Sequence, residues 1–509
     1  MNELTSRDEV VDIRRFGSGS KSFDASAALQ SALNRGYKNI HIPGGNWVFN
    51  KPVVVPPNTG VRIFGTSNAF SILECRMPNS YRDRGMIEYF ARDGFSWGIV
   101  LEHLHLVGNG STCHGLFLKQ ISYPLLKDIS IEGFDGAGLL IDKCQDGEFI
   151  NLNVQDCGRT SGNRKSLADR TDVSKTLYSA IHLTNMSTPG DANNMLRFNS
   201  LQCENNVTSP YIFVKVGVGV GPIGIFFSQI HGEVRNQSDW NTFEFLRAEA
   251  GDFNFDGVAL SRFKPGAGFT FTGYGTATFA NSRALDGVRH IKSGVAASFL
   301  ISNCITNDLS CVGLDGGYLV SNSKVGKVSL SYPGASNQRF SNCDMGNVTI
   351  ANSGGSSRGV YIINCTLGSL TTDANTSNGY YAFNTITGNL TGSGSGNNFI
   401  NNLVLGKTQI APGNFSSKSA ALTAPISMAA NPAALDPDFC RLEPLKPPST
   451  QYSAPEAQRV AELVNRLQVL LNAEIARRKD LEARLMAAHL LSESPLLTDR
   501  NLSNDEPRL

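Results

Sequence analysis

Between residues 300 and 410 the motif Asn-x-x-x-Gly returns at Asn322/Gly326, Asn342/Gly346, Asn364/Gly368, Asn384/Gly388 and Asn402/Gly406. The steps are 20, 22, 20 and 18 residues, with Asn303 as a degenerate first copy. A propeller blade needs about 40 residues, and the Leu lattice of a leucine-rich repeat is missing. What stacks at so short a period is a coil of strands, each coil about 4.8 Å above the last. At that distance one side-chain amide reaches the next, and Gly takes the tight turn. We therefore expect a ladder of buried Asn amides, which Asn364→Leu would break at a cost of a few kcal/mol.

A second repeat precedes it. Segments beginning at Leu101, Leu126, Phe149, Phe198 and Phe227 superpose, their starts separated by 25, 23, 49 and 29 residues. Positions 4 and 6 of each are apolar or small, while 5 and 7 are mostly polar, the alternation of a half-buried strand. Gly115–Leu118, Gly138–Ile141 and Ala180–Leu183 form another repeated strand. Its members bracket the polar stretch Arg159 to Lys175, which reads as an insertion thrown out of the 49-residue step. With 50 Gly and only 17% charged residues, the composition suits a turn-rich all-β chain. The expected fold is a single-stranded right-handed parallel β-helix over residues 51–410.

A β-helix exposes strand edges at both ends and needs covers there. Behind a polar lead of residues 1–11, residues 12–50 read as a capping helix and a first strand. Asp24 suits an N-cap for Ala25 to Leu33, and Gly36 follows as a stop. Residues 411–455 lose the repeat and gather prolines as a linker does. Residues 456–509 carry a C-terminal helix whose Val460, Val464, Leu467, Leu471, Leu481 and Leu485 fit an a/d seam, although Glu474 and Arg478 fall on it.

The opening Asp12-Ile13-x-x-Phe16-Gly17, then Asp24-x-x-Ala27-x-x-Gln30-x-Ala32-Leu33 and Ile40-x-Ile42-Pro43-Gly44, resembles the pectate-lyase-like β-helix family, and within it the bacteriophage tailspikes and capsule depolymerases. The Gly-Asp-Gly and acidic pair usual before that helix are replaced by Gly19-Ser20-Lys21-Ser22-Phe23. The resemblance implies a homotrimer on the virion that binds, and often cuts, host surface polysaccharide. Synthesis in the host cytoplasm is consistent with an N-terminus that has no apolar signal core. Other virion proteins would attach through residues 1–11 or the C-terminal helix. A non-catalytic structural or adhesive spike, at the tail, baseplate or collar, is the alternative.

Candidate chemistry lies on the superposed columns. Position 7 brings Val107, Glu132, Gln155, Glu204 and Glu233 into one outward file; position 5 gives His105, Ser130, Asn153, Gln202 and His231. On adjacent coils Glu204 and Glu233 are expected roughly 5–8 Å apart, which suits a pair of glycosidase carboxylates. They are the catalytic candidates, with His231, Gln202, Arg159 and Trp240 for substrate binding. Trp97 is a further stacking candidate. The insertion's Arg159, Arg164, Lys165 and Arg170 would wall this groove, and Asp252 and Asp256 are alternative carboxylates one coil on. A lyase ranks behind a hydrolase, because no Asp cluster shares a column.

A formal charge of +1 gives no bulk attraction to nucleic acid, and no apolar run is long enough to span a membrane. Ten cysteines without a C-x-x-C pair read as buried reduced thiols, with no metal ion or cofactor implied.

Overall fold

The structure, a computed structural model, describes residues 9–17, 24–57, 59–91, 94–185, 193–216, 221–283, 285–291, 297–312, 317–331, 338–351, 359–412 and 414–416. Residues 456–509, where a C-terminal helix is expected, nearly all of the Pro-rich stretch 411–455 and residues 1–8 lie outside these. Within them the chain is a parallel β-helix: each strand pairs in parallel with its counterpart about one period later. Among the described residues no helix is long and apolar enough to cross a membrane.

Each coil contributes three ladder segments, here faces 1, 2 and 3. Faces 1 and 2 are two halves of one long strand such as Leu125–Glu132, separated by a left-handed residue that drops out of the ladder. Those residues are His103, Asp128, Asn151, Ser200, Gln229 and Gly257. Face 3 stacks Leu116, Leu139, Ile181, Ile212, Leu246 and Phe269 in one buried file. The expected register holds throughout: Phe149 pairs with Phe198, Gln202 with His231, and Glu204 with Glu233.

Position 1 of the repeat points inward and forms an aromatic stack. Successive ring centroids from Phe149 through Phe198, Phe227, Phe255 and Phe279 lie 4.6, 4.9, 5.1 and 4.7 Å apart. Those separations match the spacing of hydrogen-bonded strands, so one ring per coil fills the core without a gap.

The first coil is covered as the sequence suggests. Helix Ala25–Asn34 is N-capped by the Asp24 carboxylate, which accepts from the Ser26 and Ala27 amides. It buries Ala25, Ala28, Leu29, Ala32 and Leu33. Gln30 acts as a surrogate neighbour for strand Val53–Val55: its Nε2 donates to Val54 O at 2.9 Å and its Oε1 accepts from Val54 N at 2.8 Å. An edge that invites another strand is thereby closed. The chain joins the sheet early, because Val10–Asp12 pairs with Asn39–His41.

The Asn ladder meets expectation only in part: in the last coils a buried amide does bond the next, Asn384 Nδ2 donating to Asn402 Oδ1 at 3.0 Å, but the earlier Asn lie on the surface. Asn322, Asn342 and Asn364 occupy left-handed corner positions and are exposed; Asn364 Nδ2 donates to Asn342 Oδ1 at 2.7 Å along the surface. The residue after each corner faces inward, giving a buried file of Ser282, Cys304, Ser323, Cys343, Cys365, Asn384 and Asn402. In the last two coils the corner residue is Phe383 or Asn401, so Asn384 and Asn402 stand one place later than the Asn-x-x-x-Gly alignment implies. Asn384 Oδ1 accepts from Cys365 N at 2.9 Å, and its Nδ2 donates to Ile362 O at 2.8 Å. Asn402 Oδ1 accepts from Asn384 N at 3.0 Å.

The stability test therefore moves to a different residue. Asn384→Leu strands buried backbone groups and is expected to cost about 3 kcal/mol. Asn364→Leu loses an exposed contact and puts Leu in a left-handed conformation, at about 1 kcal/mol. Urea unfolding of the two variants checks this; equal losses would contradict the assignment of the buried file.

All eight described cysteines that have a burial assignment are buried and free, as expected of reduced thiols. The insertion is a small subdomain: Arg159–Thr160 pairs antiparallel with Thr176–Tyr178, and helix Leu167–Thr171 lies between them.

Candidate functional site

The expected carboxylate pair forms. Glu204, His231 and Glu233 each present a donor atom, all within 4.8 Å of one another, at the end of face 2. His231 Nε2 lies 3.5 Å from Glu204 Oε1 and 3.9 Å from Glu233 Oε2. Gln202 stands beside His231 in the position-5 column and is exposed. The Glu–His–Glu set has the donors of a divalent-metal site, but two guanidiniums already hold its carboxylates. Arg235 Nη2 contacts Glu204 Oε2, and Arg262 Nη1 lies 2.9 Å from Glu233 Oε1. The Arg262 guanidinium also covers the Trp240 ring at 4.4 Å, so Trp240 reaches the cluster through Arg262.

Sequence reasoning missed both arginines. They fall just past the repeat, on turns where the period-2 pattern has ended. It also missed Asp156 on the neighbouring corner. Burial holds that carboxyl above its ordinary range and the Glu132 charge adds to this, against a hydrogen bond from Asn205 at 2.9 Å. Asp252 and Asp256 belong elsewhere: they pair along face 1, with Thr276 and Ser228 beside them, apart from the Glu pair.

Arg159 does not join Glu204 and Glu233. It is buried, donates to Thr112 O at 3.1 Å, pairs with Asp83 and lies 4.9 Å from the Tyr178 ring centroid. Arg164 pairs with Asp135 at 2.7 Å and Arg170 with Asp239 at 2.8 Å. The insertion's arginines thus fasten it to the coil, and the cavity it walls is on face 3.

That cavity, about 620 Å³, has Phe117, Leu140 and His182 on its floor and Arg159, Leu177 and Tyr178 at its side. A second cavity of about 470 Å³ shares Phe117 with it, and a third of about 400 Å³ shares Lys215. Together they make a trough along face 3, from strand Gly85–Phe90 to strand Leu246–Ala248. Six stacked strands give it a length of roughly 24 Å. Asp142, which lies 3.9 Å from Lys119, and Asp83 supply carboxylates; Arg82 and Lys215 supply cations. Burial, and after it the Lys215 charge, pushes the His182 ring down to about 3, so it is neutral at physiological pH. Trp97 stands apart from these residues, 63% exposed and stacked on Tyr123 at 5.5 Å.

The described residues thus form a parallel β-helix with a Glu–His–Glu cluster on one face and an elongated trough on another. No family model and no curated protein matches the sequence. Among solved structures the chain is similar to the N-terminal fragment of bacteriophage Phi29 gene product 12. That match has a TM-score of 0.50 and 11% identity, covering 81% of this chain and 73% of that one. It also matches Geobacillus virus E2 ORF18, with a TM-score of 0.33 and 16% identity over 78% of this chain and 61% of that one. The gp42 tailspike of an Acinetobacter phage matches with a TM-score of 0.37 and 13% identity, covering 78% and 62%. At these identities the likeness is one of fold.

Proposed function

We propose that this chain is a phage virion spike that binds host surface polysaccharide along the face 3 trough. The observation that carries this reading is the trough itself: roughly 24 Å of open groove, with aromatic and aliphatic floor and paired charges, fits an extended polar polymer better than a compact ligand. The resemblance of the opening motif to tailspikes, and the fold shared with a phage gene product, agree with it. The proposal extends to a homotrimer attached to other virion proteins through residues 1–11 or the C-terminal helix.

A second reading, hydrolysis by Glu204 and Glu233, draws on their spacing. Donor atoms within 4.8 Å approach the separation of about 5 Å used by retaining glycosidases. The ion pairs weigh against it: Arg235 already holds Glu204 and Arg262 holds Glu233, so a sugar would have to displace an arginine to reach either carboxylate. One experiment separates the readings. Purified protein is incubated with surface polysaccharides from a panel of candidate hosts, and retention and new reducing ends are both measured. Binding alone predicts retention with no new ends, in material sedimenting at three times the 54.8 kDa chain mass. New ends that disappear in Glu204→Gln, Glu233→Gln would establish the hydrolase instead.

A further inference from the structure

The cations of the trough differ in what holds them. Arg159 is paired with Asp83, and Lys119 lies 3.9 Å from Asp142. Lys215 has no ion pair among the described residues, although it lines two of the three cavities and so stands at their junction. It ends a face 3 strand, Ile212–Lys215, directly above Thr184 and, one coil further, Asp142, which fixes its backbone in the ladder. The nearby carboxylate of Glu249 is turned to the backbone, where its Oε2 accepts from Val216 N at 2.8 Å. His182 beneath is neutral, and Arg247, the other cation of the third cavity, lies 3.9 Å from Glu244. Arg82, likewise without an ion pair among the described residues, is exposed and lines only the first cavity, so Lys215 is the half-buried cation of this junction that no carboxylate holds.

A half-buried lysine with no ion pair among the described residues, lining a groove open to solvent, is a place for an anion that arrives with the ligand. We propose that Lys215 is the anion subsite of the trough and that its ligand is an acidic glycan, carrying a uronate carboxylate or a phosphodiester that seats on the ammonium. This rests on the reading of the trough as a polysaccharide groove. A Lys, as a compact point charge, accepts either anion, whereas a fixed guanidinium fork would select planar geometry.

The test uses the polysaccharide that the full chain retains from the host panel, immobilised in three forms: native, carboxyl-reduced with carbodiimide and borohydride, and treated with hydrofluoric acid to remove phosphodiesters. Affinities of the wild type and of Lys215→Gln are measured on each. One of the two treatments is expected to weaken wild-type binding by about tenfold, and which one identifies the anion. Lys215→Gln should show the same loss on the native glycan and no further loss on the neutralised one. Three results would overturn the subsite: a retained glycan that is neutral, a variant that binds the native glycan like the wild type, or a variant that loses equally on all three forms. If the wild type retains no polysaccharide, the trough reading falls and the subsite with it; retention that ignores Lys215 removes the subsite only.

Discussion

Gly346→Ala is expected to lower stability by about 3 kcal/mol or more. The glycines at 326, 346, 368, 388 and 406 stack where the chain passes from face 2 to face 3, backbone against backbone. A Cβ added at Gly346 would lie 1.8 Å from Gly326 O, and one added at Gly388 would lie 2.4 Å from Gly368 O. The obstructing atom is a backbone carbonyl of the coil below, whose neighbours Val325 and Lys327 are held in the ladder. It cannot rotate away as a side chain would, so the coils must separate locally or the turn must change. Gly44→Ala is the matched control: the same methyl there meets Phe70 Cβ at 3.5 Å, an ordinary contact. Urea unfolding midpoints compare the two. A Gly346→Ala midpoint as high as that of Gly44→Ala would mean that the coils stack less closely here than the glycine column indicates.

The glycine column also explains what was legible in the sequence and what was not. Gly recurs because close stacking tolerates nothing larger, so its period reports the coil directly. The Asn signal was ambiguous, since two different demands select Asn. One is a left-handed corner, as at Asn364; the other is a buried amide that serves backbone groups of adjacent coils, as at Asn384. Corner and Gly are four residues apart at 364/368 and five apart at 383/388, a slip that an alignment pinned on Gly hides.

Faces 1 and 2 were readable in register because their outward positions are polar, which leaves the alternation intact. The pairing of Glu204 with Glu233 followed from that register. Face 3 was not readable in the same way. Its outward residues include Phe117, Leu140 and Phe213, so strands such as Leu139–Asp142 show no alternation over their first three residues and their outer surface leaves little trace in the pattern. The trough is also a product of long-range folding. Its side is built by an insertion whose Arg159 reaches Asp83, 76 residues earlier in the chain. No local spacing encodes that contact. The ion pairs of Arg235 and Arg262 were hidden for a related reason, as they sit on corners outside the repeat.

If polysaccharide lies along face 3, its apolar platform carries much of the affinity. Phe117 is shared by two of the cavities, and Leu177 projects from the insertion, 40% exposed. Neither belongs to the buried core file. Their truncation is therefore expected to spare folding while removing the surfaces on which sugar rings pack. Burial of two such faces is worth about 1 kcal/mol each or more, so the double variant Phe117→Ala, Leu177→Ala should bind at least tenfold more weakly.

The most direct measurement of the central claim is the affinity of this double variant for the retained host polysaccharide, taken beside the wild type at one salt concentration. Melting temperatures of both proteins are measured to show that each is folded. The account predicts an unchanged melting temperature with binding reduced by about tenfold or more. A folded variant that binds as tightly as the wild type would contradict it, and would move the polysaccharide away from face 3.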